Sequence, residues 1–134
     1  KHEKSQHFFN QQYESEIEFL STHFNEILKH EEEQNLSKLS INTLERILSN
    51  SKLELNEEDE LLEFINNLYL KSREYSILYE YVYFENVESE SIENFLRIKN
   101  YYKKFLSLYL IYYDLIDIKH EFVNSSFLSH AIYT

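Results

Sequence analysis

The chain has 134 residues, a formal net charge of -11, and no glycine, proline, cysteine or methionine. Its length corresponds to one domain. The acidic charge argues against binding to nucleic-acid phosphates or anionic membrane surfaces. The lack of cysteine excludes disulfides, thiolate catalysis and cysteine metal sites. Tight β-turns are hard to build without glycine, so the composition favours helices joined by short polar links.

The N-terminal part of the chain begins with a long amphipathic pattern. Apolar residues recur at intervals of three and four, which places them on one face of a helix. This spacing predicts a single helix from about Ser5 to His30, followed by the solvated run at 31–33. The residues on its apolar face are Phe9, Tyr13, Ile17, Leu20, Phe24 and Ile27.

Two shorter helices are predicted next. Ser40 is a good N-cap residue and precedes the second helix. The third helix is predicted to be capped by Asn56, with carboxylates at 57–60 stabilised by the positive end of the helix dipole. The residues expected to be buried in these two helices are Leu44, Ile47, Leu48, Leu61, Leu62, Ile65, Leu68 and Tyr69.

The rest of the chain predicts further helices. A fourth spans roughly Tyr75 to Tyr83, a fifth is capped by Ser89, and one or two more cover about 100–122. In the fourth and fifth, the residues expected to face inward are Ile77, Leu78, Tyr81, Val82, Ile92, Phe95 and Leu96.

These patterns predict an all-α fold, built as an array of antiparallel helix hairpins with short links. Its core is expected to contain Phe24, Leu44, Leu48, Leu62, Ile65 and Phe95.

Charge and hydropathy suggest an internal boundary. Residues 1–100 carry the whole net charge of -11, whereas residues 101–134 are balanced and rich in tyrosine. We therefore expect an acidic helical domain at 1–100 and an aromatic helical extension at 101–134. The apolar run 105–116 is too short for the roughly twenty residues of a membrane span. The first residue, Lys1, and the lack of methionine indicate a segment of a longer protein, and the lack of cysteine and of a signal peptide favours the cytoplasm.

Three blocks in the acidic part carry a family resemblance. They read FLSTHFNEI at 19–27, LSINTLERILSNSKLELNEEDELLEFINNLYLKS at 39–72 and VYFENVES at 82–89. Their order and distances resemble the BACK domain, the helical module between BTB and Kelch domains, and most closely its divergent forms in AT-rich protist genomes.

The resemblance implies a function in protein interaction rather than catalysis. A BACK-like module would act as a spacer between a BTB-type domain and a recognition domain, and its partners would be those domains or a cullin of a ubiquitin ligase. An alternative is a structural helical segment beside ankyrin-type repeats, with no partner of its own.

The residues themselves predict no metal, cofactor or catalytic site. His23 and His30 are seven positions apart, about 10 Å along a helix, which is too far for one ion. The carboxylates at 57–60 lack the alternation and the glycine of a calcium loop. A serine nucleophile elbow would require flanking glycines, which the chain lacks.

Aromatic residues near the two ends of the chain are the best candidates for a partner surface. Phe8, Phe9 and Tyr13 are expected to contact a preceding domain or partner. Tyr101 and Tyr109 belong to a run that exceeds what one helix can bury, so a following domain is expected to pack there. The sequence does not indicate the oligomeric state.

Overall fold

The computed structural model describes the backbone of residues 2–30, 33–99 and 131–133, and the side chains of 10–30, 35–99 and 131–133. Within these ranges the regular structure is helical and contains no β-strand, which confirms the all-α class. The chain divides into two compact units, Lys1–Asn56 and Glu57–Thr134. The boundary expected near residue 100 stays a prediction, and the helix expected at 100–122 lies outside the described residues.

The first unit contains four helices in its described residues. They are α1 (His2–Thr22), α2 (Phe24–Lys29), α3 (Glu33–Leu36) and α4 (Ile41–Leu48). The side chain of Ser21 is fully buried and donates hydrogen bonds to the carbonyls of Ile17, at 2.8 Å, and Ile47, at 3.1 Å. Because the Ser21 carbonyl also accepts from the Glu54 amide at 3.0 Å, this one residue joins α1, α4 and the segment that follows α4.

The single helix predicted for about 5–30 is wrong, since it is interrupted at His23. The Thr22 hydroxyl donates to the carbonyls of Glu18, at 3.0 Å, and Phe19, at 3.1 Å, and Nδ1 of His23 lies 2.9 Å from the same Phe19 oxygen. Side chains that bond back to carbonyls three or four residues earlier bend a helix. The backbone bond from the Ile27 amide to the His23 carbonyl is kept, so the break is confined to one residue.

The second unit contains α5 (Glu58–Lys71), a 3-10 helix (Arg73–Tyr81), a short 3-10 turn (Phe84–Asn86) and α6 (Ser89–Ile98). Residues 131–133 are also helical. α5 and the 3-10 helix are antiparallel, because Glu58 accepts from the Tyr83 amide at one end and Asn66 accepts from Tyr79 further along.

The helix predicted for 75–83 is a 3-10 helix, and this changes which residues face inward. A 3-10 helix has three residues per turn, so side chains three apart lie on one face. Residues 74, 77, 80 and 83 are all exposed, and Ile77, predicted to be buried, is 42% exposed. Leu78 and Val82 are buried as predicted, and Tyr81 is half-buried.

Of the three predicted helix caps, one is confirmed. Ser40 caps α4, and its hydroxyl accepts from the Thr43 amide at 3.2 Å. The N-cap of α5 is Glu57 rather than Asn56, and that of α6 is Glu88 rather than Ser89. The backbone amide of Asn56 instead donates a hydrogen bond of 3.4 Å to the side-chain oxygen of Asn25.

The start of α6 receives its hydrogen-bond acceptor from another helix. Asp59, in the first turn of α5, accepts from the Glu88 amide at 3.3 Å and from the Ser91 hydroxyl at 2.7 Å. A carboxylate at this position also interacts favourably with the helix dipole. A cap supplied by a residue 29 positions away leaves no signal in the local sequence.

The predicted core is confirmed in both units. Each of the six residues is at most 6% exposed: Phe24, Leu44, Leu48, Leu62, Ile65 and Phe95. In the second unit the core is aromatic, because Phe95 packs edge-on against Tyr79, with ring centres 4.8 Å apart, and lies 5.1 Å from Phe84. Such ring pairs add to the stabilisation that comes from burying apolar area.

Candidate functional site

The residues predicted to contact partners do not form one described site. The backbone of Phe8 and Phe9 lies in α1, but their side chains are outside the described set. Tyr13 lies in the same helix and is 36% exposed. Tyr101 and Tyr109 fall outside the described residues. Of these five residues, Tyr13 is the one whose side-chain contacts the structure describes.

Tyr13 is oriented by residues of α4. Its hydroxyl shares a hydrogen bond of 3.1 Å with the Thr43 hydroxyl. The guanidinium of Arg46 lies 5.6 Å from the centre of the Tyr13 ring and also pairs with Glu14. A cation over a ring and an exposed ion pair are each worth little at the surface, but together they restrict the side chain to one orientation.

Among the side chains that the structure describes, those of α1 just before Ile17 are exposed. Every side chain from Asn10 to Glu16 is exposed, whereas Ile17 is only 2% exposed. Helices are usually stabilised by packing an apolar face, and short helices alone are marginal in water. We call residues 10–16 the exposed segment of α1. Tyr13 is its large apolar side chain within the described set.

The second unit contains a buried polar cluster that joins its helices. Tyr79 is fully buried and donates a hydrogen bond of 2.7 Å to Asn66, which is 4% exposed. The Tyr79 ring lies 5.8 Å from that of Tyr69. Burial raises the pKa of the Tyr79 phenol, with a further contribution from Tyr69, so this hydroxyl remains a proton donor at ordinary pH.

Lys99 is the charged member of this cluster and is 6% exposed. Its ammonium donates to the Ser76 hydroxyl at 3.0 Å and to the Ile132 carbonyl at 3.3 Å. It also lies 4.4 Å from the centre of the Tyr69 ring. Burial lowers the pKa of Lys99, and the positive charge of Arg73 lowers it further.

Asn66 and Lys99 were not predicted to be buried, although the helical period of the sequence contains a signal for each. Asn66 is four positions after Leu62 on the buried face of α5, and Lys99 is four after Phe95 on that of α6. A polar residue at an apolar position of such a pattern predicts a buried hydrogen bond.

A cleft of about 730 Å³ lies between α5 and α6. Six of its fourteen lining residues are acidic, four are uncharged and polar, one is Arg97, and three are apolar, namely Leu62, Leu70 and Ile98. The acidic lining residues are Glu57, Asp59, Glu60, Glu63, Glu90 and Glu93. One carboxylate oxygen of Glu60 is buried and has no hydrogen-bond partner in the part of the chain that the structure describes.

Glu58 also lies near the start of α5. Burial raises the pKa of its carboxyl, the Tyr83 amide lowers it, and the nearby Glu85 and Asp59 raise it further. The net pKa is above the ordinary value of 4.5. Nearby like charges and burial both disfavour the ionised carboxylate.

The described residues contain no group of three or more histidine, cysteine, aspartate or glutamate side chains that could hold a metal ion. Among the helices that the structure describes, none is both long and apolar enough to cross a membrane.

Comparison with known proteins gives no match: no family model fits the chain, and no curated protein or solved structure was found to be similar to it.

Proposed function

We propose that this chain is a non-enzymatic protein-interaction module, a BACK-like helical spacer that holds a BTB-type domain and a recognition domain at a fixed separation. We also propose that the helices form the array of antiparallel hairpins predicted from the sequence. A BTB-type domain is the partner that we assign to the exposed segment of α1.

The observation that carries the proposal is the exposure of this segment. The contacts that Tyr13 and Glu14 make with α4 lie at the surface, so the segment from Asn10 to Glu16 buries little apolar area in its own unit. A partner that covers Tyr13 would supply the missing apolar contact, and the sequence places Phe8 and Phe9 in the same part of the helix. Aromatic side chains are also the residues that contribute most to protein interfaces.

The family resemblance supports the same function. The block at 39–72 spans α4, the link after it and α5, so its apolar positions fall on helices as a BACK-like module requires. The antiparallel pairing of α5 with the next helix is also compatible with a hairpin array. The resemblance implies that the leading helices of a BACK domain help to dock a cullin, and residues 1–16 do not match those helices. A cullin is therefore the second partner class, after a BTB-type domain.

The experiment is affinity purification of the full-length protein from its own cells, followed by mass spectrometry. Three forms are compared: the wild type, a variant with Phe8, Phe9 and Tyr13 changed to serine, and Phe19→Ser as the matched control. Phe19 is 58% exposed on the same helix but lies after the exposed segment. We expect the wild type and the control to recover a separate protein with a BTB-type domain, and the triple variant to lose it.

Two results would contradict the proposal. One is recovery of the same proteins by the triple variant when its circular dichroism equals that of the wild type. The other is a set of recovered proteins without a BTB-type domain or a cullin. Ankyrin-type repeats adjoining this segment in the full-length chain would favour the purely structural alternative.

A further inference from the structure

Residues 131–133 pack against helices of their own unit. Ala131 is fully buried and Ile132 is 8% exposed. The Ile132 carbonyl accepts hydrogen bonds from the Ser76 hydroxyl, at 2.6 Å, and from the Lys99 ammonium, at 3.3 Å. The Tyr133 hydroxyl donates to the Glu80 carboxylate. We call residues 131–133 the strap. Three side chains of the 3-10 helix and the end of α6 hold it in place.

The Ile132 carbonyl of the strap accepts a hydrogen bond from the buried Lys99 ammonium, in place of a water molecule. Within the described ranges, the Lys99 ammonium contacts two oxygen atoms and the rings of Tyr69, at 4.4 Å, and Tyr79, at 5.6 Å. Among the described residues, no carboxylate forms an ion pair with Lys99. Burying a charge is costly unless hydrogen bonds replace those of water. The Ile132 carbonyl is one of the two oxygen atoms that do so.

Some of these contacts favour docking of the strap, and others oppose it. Docking orders three residues and removes Lys99 from water, and both effects oppose it. Burial of Ala131 and Ile132 and the hydrogen bonds to Ser76, Lys99 and Glu80 favour it. Opening of these three residues alone breaks far fewer contacts than unfolding of the unit, so it requires less free energy.

We propose that residues 131–133 form a reversible strap, and that Ser76, Glu80 and Lys99 form a docking site for this short segment of the chain. The site recognises a small side chain, a branched apolar side chain and a tyrosine in succession. Lys99 and Ser76 together bind the backbone carbonyl of the central residue, and Glu80 accepts a hydrogen bond from the tyrosine hydroxyl. This inference is independent of the partner proposed for α1.

A peptide added in trans tests the site. The probe is a labelled synthetic peptide with the sequence of residues 128–134, LSHAIYT, and binding is followed by fluorescence anisotropy. In the Ile132→Asp variant the strap is displaced by the desolvation cost of a buried carboxylate. We expect this variant to bind the peptide about tenfold more tightly than the wild type, in which the strap competes.

The contribution of Lys99 is measured in the same assay. Adding Lys99→Met to the Ile132→Asp variant is expected to weaken peptide binding about tenfold, the effect of losing a hydrogen bond from a charged donor. Lys71→Met is the matched control, because Lys71 is an exposed lysine of the same unit, and it should leave binding unchanged. Equal binding by the wild type and Ile132→Asp, or no binding by either, would overturn the proposal.

Hydrogen exchange decides the question if Ile132→Asp does not fold. In the whole chain with Lys99→Met, amide exchange of the strap is expected to become about tenfold faster, while α5 keeps its protection. Unchanged exchange in the strap would overturn the proposal. Equal acceleration in the strap and α5 would also overturn it, because the strap would then open only with the whole unit.

Discussion

The hydroxyl of Tyr79 donates a hydrogen bond of 2.7 Å to the side-chain oxygen of Asn66, and both residues are almost completely buried. The bond joins α5 to the 3-10 helix and fixes where one lies along the other. Because burial raises the pKa of the Tyr79 phenol, the donor keeps its proton throughout the range in which proteins are normally studied.

Changing Tyr79 to phenylalanine should therefore destabilise the protein. The substitution keeps the ring but leaves the Asn66 oxygen buried without this donor, which costs about 1–3 kcal/mol. Urea unfolding followed by circular dichroism measures the effect. Tyr83→Phe is the control, since Tyr83 is 63% exposed. Equal stability of the two variants would show that the hydrogen bond contributes nothing.

Phe24→Ala should destabilise the first unit strongly. Phe24 is fully buried in α2, and removing a buried phenylalanine side chain costs roughly 3–5 kcal/mol. Phe19→Ala, at a residue that is 58% exposed, should change stability far less. Thermal unfolding of the two variants distinguishes them. If Phe24→Ala melts within a degree or two of the wild type, the Phe24 side chain is not buried in the core of the first unit.

The raised pKa of Glu58 predicts that the stability of the protein depends on pH, with a definite sign. Its pKa in the folded protein is raised above 4.5, so the ionised form is less favourable in the folded state than in the unfolded state. This destabilisation is complete above the raised pKa and is relieved as the pH falls from there through 4.5. Glu58→Gln removes the charge and keeps an oxygen that can accept from the Tyr83 amide.

We expect Glu58→Gln to be slightly more stable than the wild type at pH 7, and the difference to disappear at pH 4. Glu63→Gln is the control, because it removes the same charge from an exposed position of α5. Urea unfolding at both pH values measures the difference. A stabilisation by Glu58→Gln that persists undiminished at pH 4 would contradict the assigned pKa direction.

Periodic burial could be predicted from the sequence because it depends on local spacing alone. Leu44 and Leu48 on α4, and Leu62 and Ile65 on α5, repeat at intervals that only a helix places on one face. The Ser40 cap was predicted for the same reason, since the Ser40 hydroxyl and the Thr43 amide are three positions apart.

Features that depend on distant residues could not be predicted in this way. Asp59 supplies the acceptor at the start of α6 from another helix. The exposure of Ile77 depends on a 3-10 geometry, whose period differs from the one that the pattern assumed. The helical period indicates that Lys99 is buried, but not that one of its acceptors is the carbonyl of Ile132, 33 positions further along the chain. Of the candidate partner surface, the sequence predicted Tyr13 but not its contacts with Thr43 and Arg46.

The interaction role of the exposed segment of α1 is tested most directly by photocross-linking in the full-length protein. A photoreactive phenylalanine analogue replaces Tyr13 in one variant and Phe19 in the control, and the adducts are mapped by mass spectrometry. Our account predicts adducts between position 13 and a BTB-type domain, in the same polypeptide or in a partner, and a much lower yield from position 19. Adducts from position 13 that are no more abundant than those from position 19 would contradict it.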